Sequence, residues 1–245
     1  MADNDTRIKQ AFEQPQWYLQ RTAFNIAIRV ETVKEYVSVK PQSVLDIGCG
    51  DGSLSRGLLD DNSRLTLVDQ SQTMLNLALS RVPGELAERV QTINANFKQA
   101  NLMPGSFDLI LCVGVLAYIE VPDRPQFVEK IKSLLKPGGS LIIECTDGLH
   151  PINRLVVAYR TLGYWLRPNR MRTIVGSSAQ LLSICKDLGF KLSGSFRYTL
   201  PLPLVDKLMS QSVSYNAVRS LFGTATHNRN ASFGNECIYH FTLGR

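Results

Sequence analysis

The sequence predicts an α/β protein: a mostly parallel sheet with helices on both faces. Three observations carry this. Apolar runs bounded by turn signals alternate with helical patterns along the chain. The strand candidates are nearly continuous in apolar residues, as strands buried on both faces are. The first of them runs straight into a glycine-rich turn, the junction at which open α/β sheets bind ligands. The 245 residues, 44% hydrophobic and 20% charged, have an ordinary globular balance and are ample for a sizeable core.

The elements follow in order. Ile26, Val30, Val33 and Val37, spaced 4, 3 and 4, form the stripe of a helix ahead of the first strand, Ser43–Ile47. A second strand is predicted at Arg64–Val68. Ser71 then caps a helix carrying Met74, Leu75 and Ala78. Strands follow at Val90–Ala95 and Phe107–Val113. Asp123 is placed to cap a helix through Phe127, Ile131, Leu134 and Leu135, stopped by Pro137-Gly138-Gly139 ahead of a fifth strand at Ser140–Glu144. Ser177 or Ser178 caps a helix through Leu181, Leu182, Cys185 and Leu188, ended by Gly189. Two further strands, Lys191–Tyr198 and Glu236–Leu243, bring the total to seven.

Two segments interrupt the rhythm. Gly148–Val175 is too long for an ordinary connection and holds Tyr159, Tyr164, Trp165 and five arginines: Arg154, Arg160, Arg167, Arg170 and Arg172. Leu200–Asn235 separates the last two strands and contains a helical stretch, Val205–Phe222. The expected organisation is an N-terminal helical cap (1–40), a ligand-binding core (41–147), a substrate-lid insertion (148–176), and a C-terminal part of the core (177–245) with a second lid insertion (200–235).

Charge and cysteine usage narrow the setting. Residues 1–147 carry 15 Lys and Arg against 18 Asp and Glu, whereas 148–245 carry 12 against 3. A basic second half fits either an anionic partner or a solvated face. The five cysteines are scattered without C-x-x-C spacing, which reads as buried reduced thiols and offers no metal site. No apolar run reaches the ~20 residues that span a bilayer, and the polar, acid-bearing start resembles neither a secretory signal nor a transit peptide. A cytoplasmic protein is expected, monomer or homodimer, without stable membrane insertion.

The most informative residues are VLDIGCGDG (44–52). Glycines at such a turn let backbone approach a ligand closely, and the N–H groups beyond them favour something polar or anionic. The dinucleotide pattern G-x-G-x-x-G fails because position 53 is Ser53, and no phosphate loop matches. A second anchor is Asp69, which ends the next strand in LTLVD; a carboxylate there suits the two hydroxyls of a ribose.

With NANF (94–97), FDLILCVGVLAYIE (107–120) and LLKPGGSLIIE (134–144) added, the chain resembles the class I S-adenosylmethionine-dependent methyltransferases, in particular the small-molecule branch, over residues 44 to 144. The resemblance implies a Rossmann-like sheet whose last strand is antiparallel. It implies S-adenosylmethionine as cofactor, S-adenosylhomocysteine as product, and no metal. Gly48, Cys49 and Gly50 would lie against the methionine and ribose, with Asp46 holding the loop or reaching the cofactor's amino group through water. Asp69 would take the ribose hydroxyls, Gln70 and Met74 would flank the adenine, and Val113 would face the methionine. The chain departs from the family at Asn96, where Asp is frequent; its carbonyl oxygen still accepts from the adenine amino group, beside Phe97.

Methyl transfer chiefly needs positioning, exclusion of water and a fate for the nucleophile's proton. His150, after the fifth strand, is a candidate base or else a solvent-facing loop residue. Tyr118 either lines the pocket or packs as an ordinary aromatic. By the same resemblance Trp17 and Tyr18 would fold over the cofactor, Tyr18 shielding the sulfonium, or else pack the leading helix on the core. Trp17, Arg154, Tyr159 and Trp165 are the candidate acceptor contacts. The expected activity is methylation of an O or N nucleophile on a small organic acceptor, an anionic or natural-product-like one if arginines face the crevice. The alternatives are a nucleic-acid-directed or lipid-directed methyltransferase using the basic half, and a non-catalytic cofactor-binding protein. Nucleic acid is disfavoured, because Cys112-Val113-Gly114 replaces the Asn/Asp-Pro-Pro-aromatic motif of amino-directed base methyltransferases.

Overall fold

The computed structural model describes residues 4–14, 16–151, 153–154, 157, 173–199 and 209–244, with the side chains of residues 5 and 16–22 excepted. Two helices lead, α1 (Asn4–Phe12) and α2 (Gln16–Tyr36). The core then alternates β1 (Ser43–Ile47), β2 (Arg64–Asp69), α3 (Gln72–Ser80), β3 (Val90–Asn94), β4 (Phe107–Cys112), α4 (Arg124–Leu134) and β5 (Leu135–Thr146). After the first long insertion come α5 (Ser178–Asp187), β6 (Phe190–Tyr198), α6 (Gln211–Phe222) and β7 (Glu236–Leu243).

The seven strands form one sheet in the order β3-β2-β1-β4-β5-β7-β6. Pairings from β3 to β5 are parallel; β7 runs antiparallel to both β5 and β6. The sheet is therefore the mostly parallel one expected, with the last strand reversed. Two apolar layers cover it. On one face Phe127 and Ile131 of α4 and Leu181 and Cys185 of α5 pack onto Ile110, Ile143 and Tyr239. On the other, Phe24, Ile28 and Val33 of α2, Leu75 of α3 and Val218 of α6 pack onto Leu109, Ile142 and Ile238. All five cysteines are buried and free.

Local chemistry explains most element ends. Ser71 accepts from the Met74 N–H at 3.2 Å and starts α3. Gly189, at φ +84°, turns the chain out of α5. Three details differ from the sequence reading. The buried residues of α2 are Phe24, Asn25, Ile28, Thr32 and Val33, while Ile26 and Val30 are only half-buried, because α2 is sandwiched between the sheet and α6. The Pro-Gly-Gly stretch lies within β5, accommodated by a register shift against β4 between Phe107 and Leu109. Neither Asp123 nor Ser177 caps by its side chain: Asp123 instead pairs with Lys98 at 2.5 Å. Of the helical stretch expected over Val205–Phe222, Gln211–Phe222 is helix and 205–208 lie outside the described residues.

Candidate active site

The glycine turn follows β1. Gly48, Gly50 and Gly52 have φ of +63°, +53° and +70°, a region that side-chain-bearing residues rarely occupy. A Cβ on Gly48 would lie 2.6 Å from Val115 Cγ2, so the site also lacks room for one. The turn is anchored to the neighbouring strand: the N–H groups of Gly48 and Cys49 donate to the Val68 carbonyl at 2.7 and 3.2 Å. The Gly50 N–H donates to Asp69 Oδ2 at 2.9 Å, and the Ser71 N–H donates to Asp69 Oδ1, also at 2.9 Å.

Asp69 thus joins the ends of β1 and β2. Burial pushes its pKa up, and the N–H bonds from Ser71, Gly50 and Gln70 pull back toward the charged form. Each oxygen spends one lone pair on backbone and keeps acceptor capacity for a ligand.

A cavity of about 520 Å³ opens above the carboxyl ends of the strands, within the usual size of small-molecule sites. It brings together Gly48, Gly50, Asp69, Gln70, Asn96, Phe97, Val113 and Tyr118 of the sequence-predicted set. Phe97 meets Phe127 edge-on with centroids 5.1 Å apart, and Lys130 Nζ sits 4.9 Å from its ring centre, so the ring is held rigidly. Tyr118 contacts Phe12 edge to face at 5.9 Å.

Other predicted residues fall elsewhere. Asp46 is buried beneath the turn, accepting from Ser55 Oγ at 2.6 Å, with its pKa raised to about 7 chiefly by desolvation. Cys49 and Met74 are buried in the core rather than in the described cavity wall. His150 is half-buried and outside that wall; its carbonyl accepts from the N–H of Arg154, which is exposed and also outside it. Trp17 and Tyr18 lie in α2, but their side chains are outside the described residues, as are Tyr159 and Trp165 entirely.

The structure adds residues that the sequence reading missed. Ile8, Lys9 and Phe12 of α1 line the cavity, held there by the Ser71 hydroxyl, which donates to the Phe12 carbonyl at 3.2 Å, and by Thr73, which bonds Glu13. Arg29 lines it from α2, bound two-pronged to buried Glu144 at 2.8 and 2.5 Å. Its guanidinium stands 3.5 Å from where a Cβ on Gly114 would be. At the far end Thr146, Asn153 and Glu236 complete the wall. Thr146 and Val113 follow one rule, that strand carboxyl ends face the ligand; Arg29 and Glu236 carried no local motif.

Comparison with known proteins agrees with this architecture. Residues 44–139 match the family described as a methyltransferase domain. A ubiquinone biosynthesis O-methyltransferase of Pseudomonas aeruginosa is 32% identical over 133 residues, 54% of this chain and 53% of that protein. The chain therefore spans about half the length of the curated relatives it matches. Among solved structures, a SAM-dependent methyltransferase of Thermotoga maritima superposes with TM-score 0.68 at 15% identity, covering 98% of this chain and 99% of that one. The magnesium protoporphyrin IX methyltransferase of Synechocystis PCC 6803, with bound SAH, gives 0.67 at 17%, covering 99% and 100%. Residues 44–139 are thus similar to a methyltransferase domain, and the chain shares the fold of these SAM-dependent methyltransferase structures.

Proposed function

We propose that this protein transfers a methyl group from S-adenosylmethionine to an oxygen or nitrogen of a small organic acceptor. The observation that carries the reading is the Asp69 carboxylate, fixed by two backbone N–H groups at the cavity wall beside a glycine turn in which Gly48 has no room for a side chain. That arrangement fits a nucleoside. The two carboxylate oxygens match a ribose diol, Asn96 offers an amide to an adenine edge, and Phe97 offers a rigid apolar face.

Gly48, Gly50 and Val113 would hold the methionine portion. Arg29, next to Gly114, would take its carboxylate, the Glu144 pairing keeping the guanidinium in place. When bound, S-adenosylmethionine supplies a methyl group already activated as a sulfonium. The protein's own task is then to orient the acceptor and keep water out. Phe12 and Tyr118 form one side of that enclosure, and Val157 and Ile174, from the stems of the 148–176 insertion, form another. This supports the reading of residues 1–40 as a cap and of 148–176 as a lid. His150 stands outside the described wall, and no proton is routed through it here.

Isothermal titration with S-adenosylhomocysteine tests the reading. One-to-one binding is expected, and absence of heat on folded protein refutes it. Labelled donor offered with phenols and amines then identifies the acceptor.

A further inference from the structure

Helix α2 brings two polar side chains to the cavity wall on one face, Asn25 and, about a turn later, Arg29. Arg29 is bound to Glu144 and stands against Gly114. Asn25 differs from it in having a free side. The residue is only 6% exposed, yet it contributes to the wall.

The orientation of its amide is fixed from beneath. Tyr198, fully buried at the end of β6, donates its hydroxyl to Asn25 Oδ1 at 2.7 Å, with Glu144 Oε1 further off at 3.2 Å. That Glu144 oxygen already accepts from Arg29 Nε at 2.8 Å, so the shorter bond takes the phenolic proton. Burial and the neighbouring Glu144 carboxylate push the Tyr198 pKa well up and keep the proton in place. With Oδ1 turned to Tyr198, the NH₂ group of the same amide points away from it. Nδ2 makes no hydrogen bond among the described residues. Two N–H donors on a buried side chain at the cavity wall therefore call for an oxygen that accepts.

The strands beneath assign that oxygen to the acceptor rather than the cofactor. Arg29 is bound to β5 and stands over the end of β4, next to the glycine turn of β1 in strand order. Asn25 is bound to β6, two strands further from Asp69. A nucleoside at Asp69 with its carboxylate at Arg29 leaves Asn25 to the other reactant. Resting on the methyl-transfer reading above, we infer that the Asn25 amide, oriented by the Tyr198 hydroxyl, holds the acceptor by a hydrogen-bond-accepting oxygen, that of a carbonyl or a carboxylate. Asn25 is a specificity-determining residue in this scheme: it selects against an acceptor that presents only donors to α2.

Three ring probes of similar size test this: acetophenone, benzoate and benzylamine, each titrated by NMR into the full chain with and without S-adenosylhomocysteine. Acetophenone or benzoate should bind more tightly than benzylamine, and which of the two leads distinguishes carbonyl from carboxylate. N25L removes both donors at similar volume and should weaken the preferred probe about threefold or more relative to benzylamine. Its affinity for S-adenosylhomocysteine should stay within about twofold of wild type. If N25L fails to fold, Y198F, which removes only the hydroxyl that orients the amide, carries the test through a loss of the same preference. Benzylamine binding as tightly as the other two, binding of none of the three, or a preference that survives the variant would overturn the inference. So would a larger loss of S-adenosylhomocysteine affinity in N25L, which would give the amide to the cofactor. Failure of S-adenosylhomocysteine to bind the wild type counts against the methyl-transfer reading instead, and the probe series without it still decides the role of Asn25.

Discussion

Replacing Asp69 with alanine is the sharpest perturbation of the cofactor end. The wild-type carboxylate accepts from Gly50 and Ser71, each at 2.9 Å, and in the proposed complex also from two ribose hydroxyls. Hydrogen bonds to a charged group contribute about 1.5–3 kcal/mol each, and water recovers part of that when the ligand is free. The expected loss of binding is therefore about 2–3 kcal/mol, roughly 30- to 150-fold in Kd. The unliganded protein should change less. Losing the carboxylate leaves the Gly50 and Ser71 N–H groups without it, but also removes the burial penalty that raises the Asp69 pKa. Asp69→Asn should fall between wild type and alanine, since one carbonyl oxygen remains while the new NH₂ faces a backbone N–H. Calorimetry with S-adenosylhomocysteine measures the first effect and thermal melting the second. A D69A Kd within twofold of wild type would show that the ribose is held elsewhere.

Asp46 gives a pH prediction. Its folded pKa of about 7 lies above the reference value of 3.8, so between those limits the folded state binds more protons than the unfolded state. Stability should therefore fall as pH rises through that window, by up to about 4 kcal/mol for a shift of this size. Asp46→Asn, which can still accept from Ser55, should flatten the melting-temperature profile and raise it at pH 8; an unchanged profile would contradict the burial argument. Gly48→Ala combines a left-handed backbone with the contact to Val115 and should cost about 2–4 kcal/mol in a denaturant titration. Arg124, 4% exposed, donates to the carbonyls of Leu116, Ile119 and Ile174, tying the end of the 148–176 insertion to the segment that carries Tyr118. Arg124→Lys cannot reproduce that fork and should lower stability by about 1–3 kcal/mol while speeding proteolytic cleavage within the insertion.

The elements most legible in sequence were those whose signal is local. β1 and β7 fall on their expected bounds because an apolar run and a turn delimit each. The glycine turn and Asp69 share the cavity because both end adjacent parallel strands, a geometric consequence of the pattern rather than of any single residue. Residues read by analogy with a binding motif fared differently. Cys49 belongs to the turn, yet its side chain faces the core, since alternate residues around a strand end point to opposite sides. Arg29 was hidden for the opposite reason. It lies in a helix with an ordinary stripe, and at the cavity it pairs with Glu144, 115 residues away, a contact no local pattern signals. The insertion arginines invited an anionic acceptor, but Arg154, the described one, is exposed and outside the wall.

The reversed strand accounts for how β7 brings its first residue to the edge of the sheet that carries the glycine turn. In a fully parallel sheet every strand would present its carboxyl end above the crevice, and residues at strand amino ends would lie at the opposite edge. Because β7 runs against β5 and β6, its first residue arrives on the same edge as Thr146 and Tyr198. Glu236 is thereby set beside the buried group formed by Glu144, Arg29, Asn25 and the Tyr198 hydroxyl, which bonds Asn25 at 2.7 Å. On the β1 side the described wall offers glycine backbone and Asp69. On the β7 side it offers Thr146, Glu236 and Asn153, from β5, β7 and the first insertion. A change at Asp69 should therefore move S-adenosylhomocysteine affinity, and Thr146→Val, on β5, should leave it within about twofold. Loss of that affinity on changing Thr146 would mean that the Glu144 group transmits between β5 and the β1 side of the cavity.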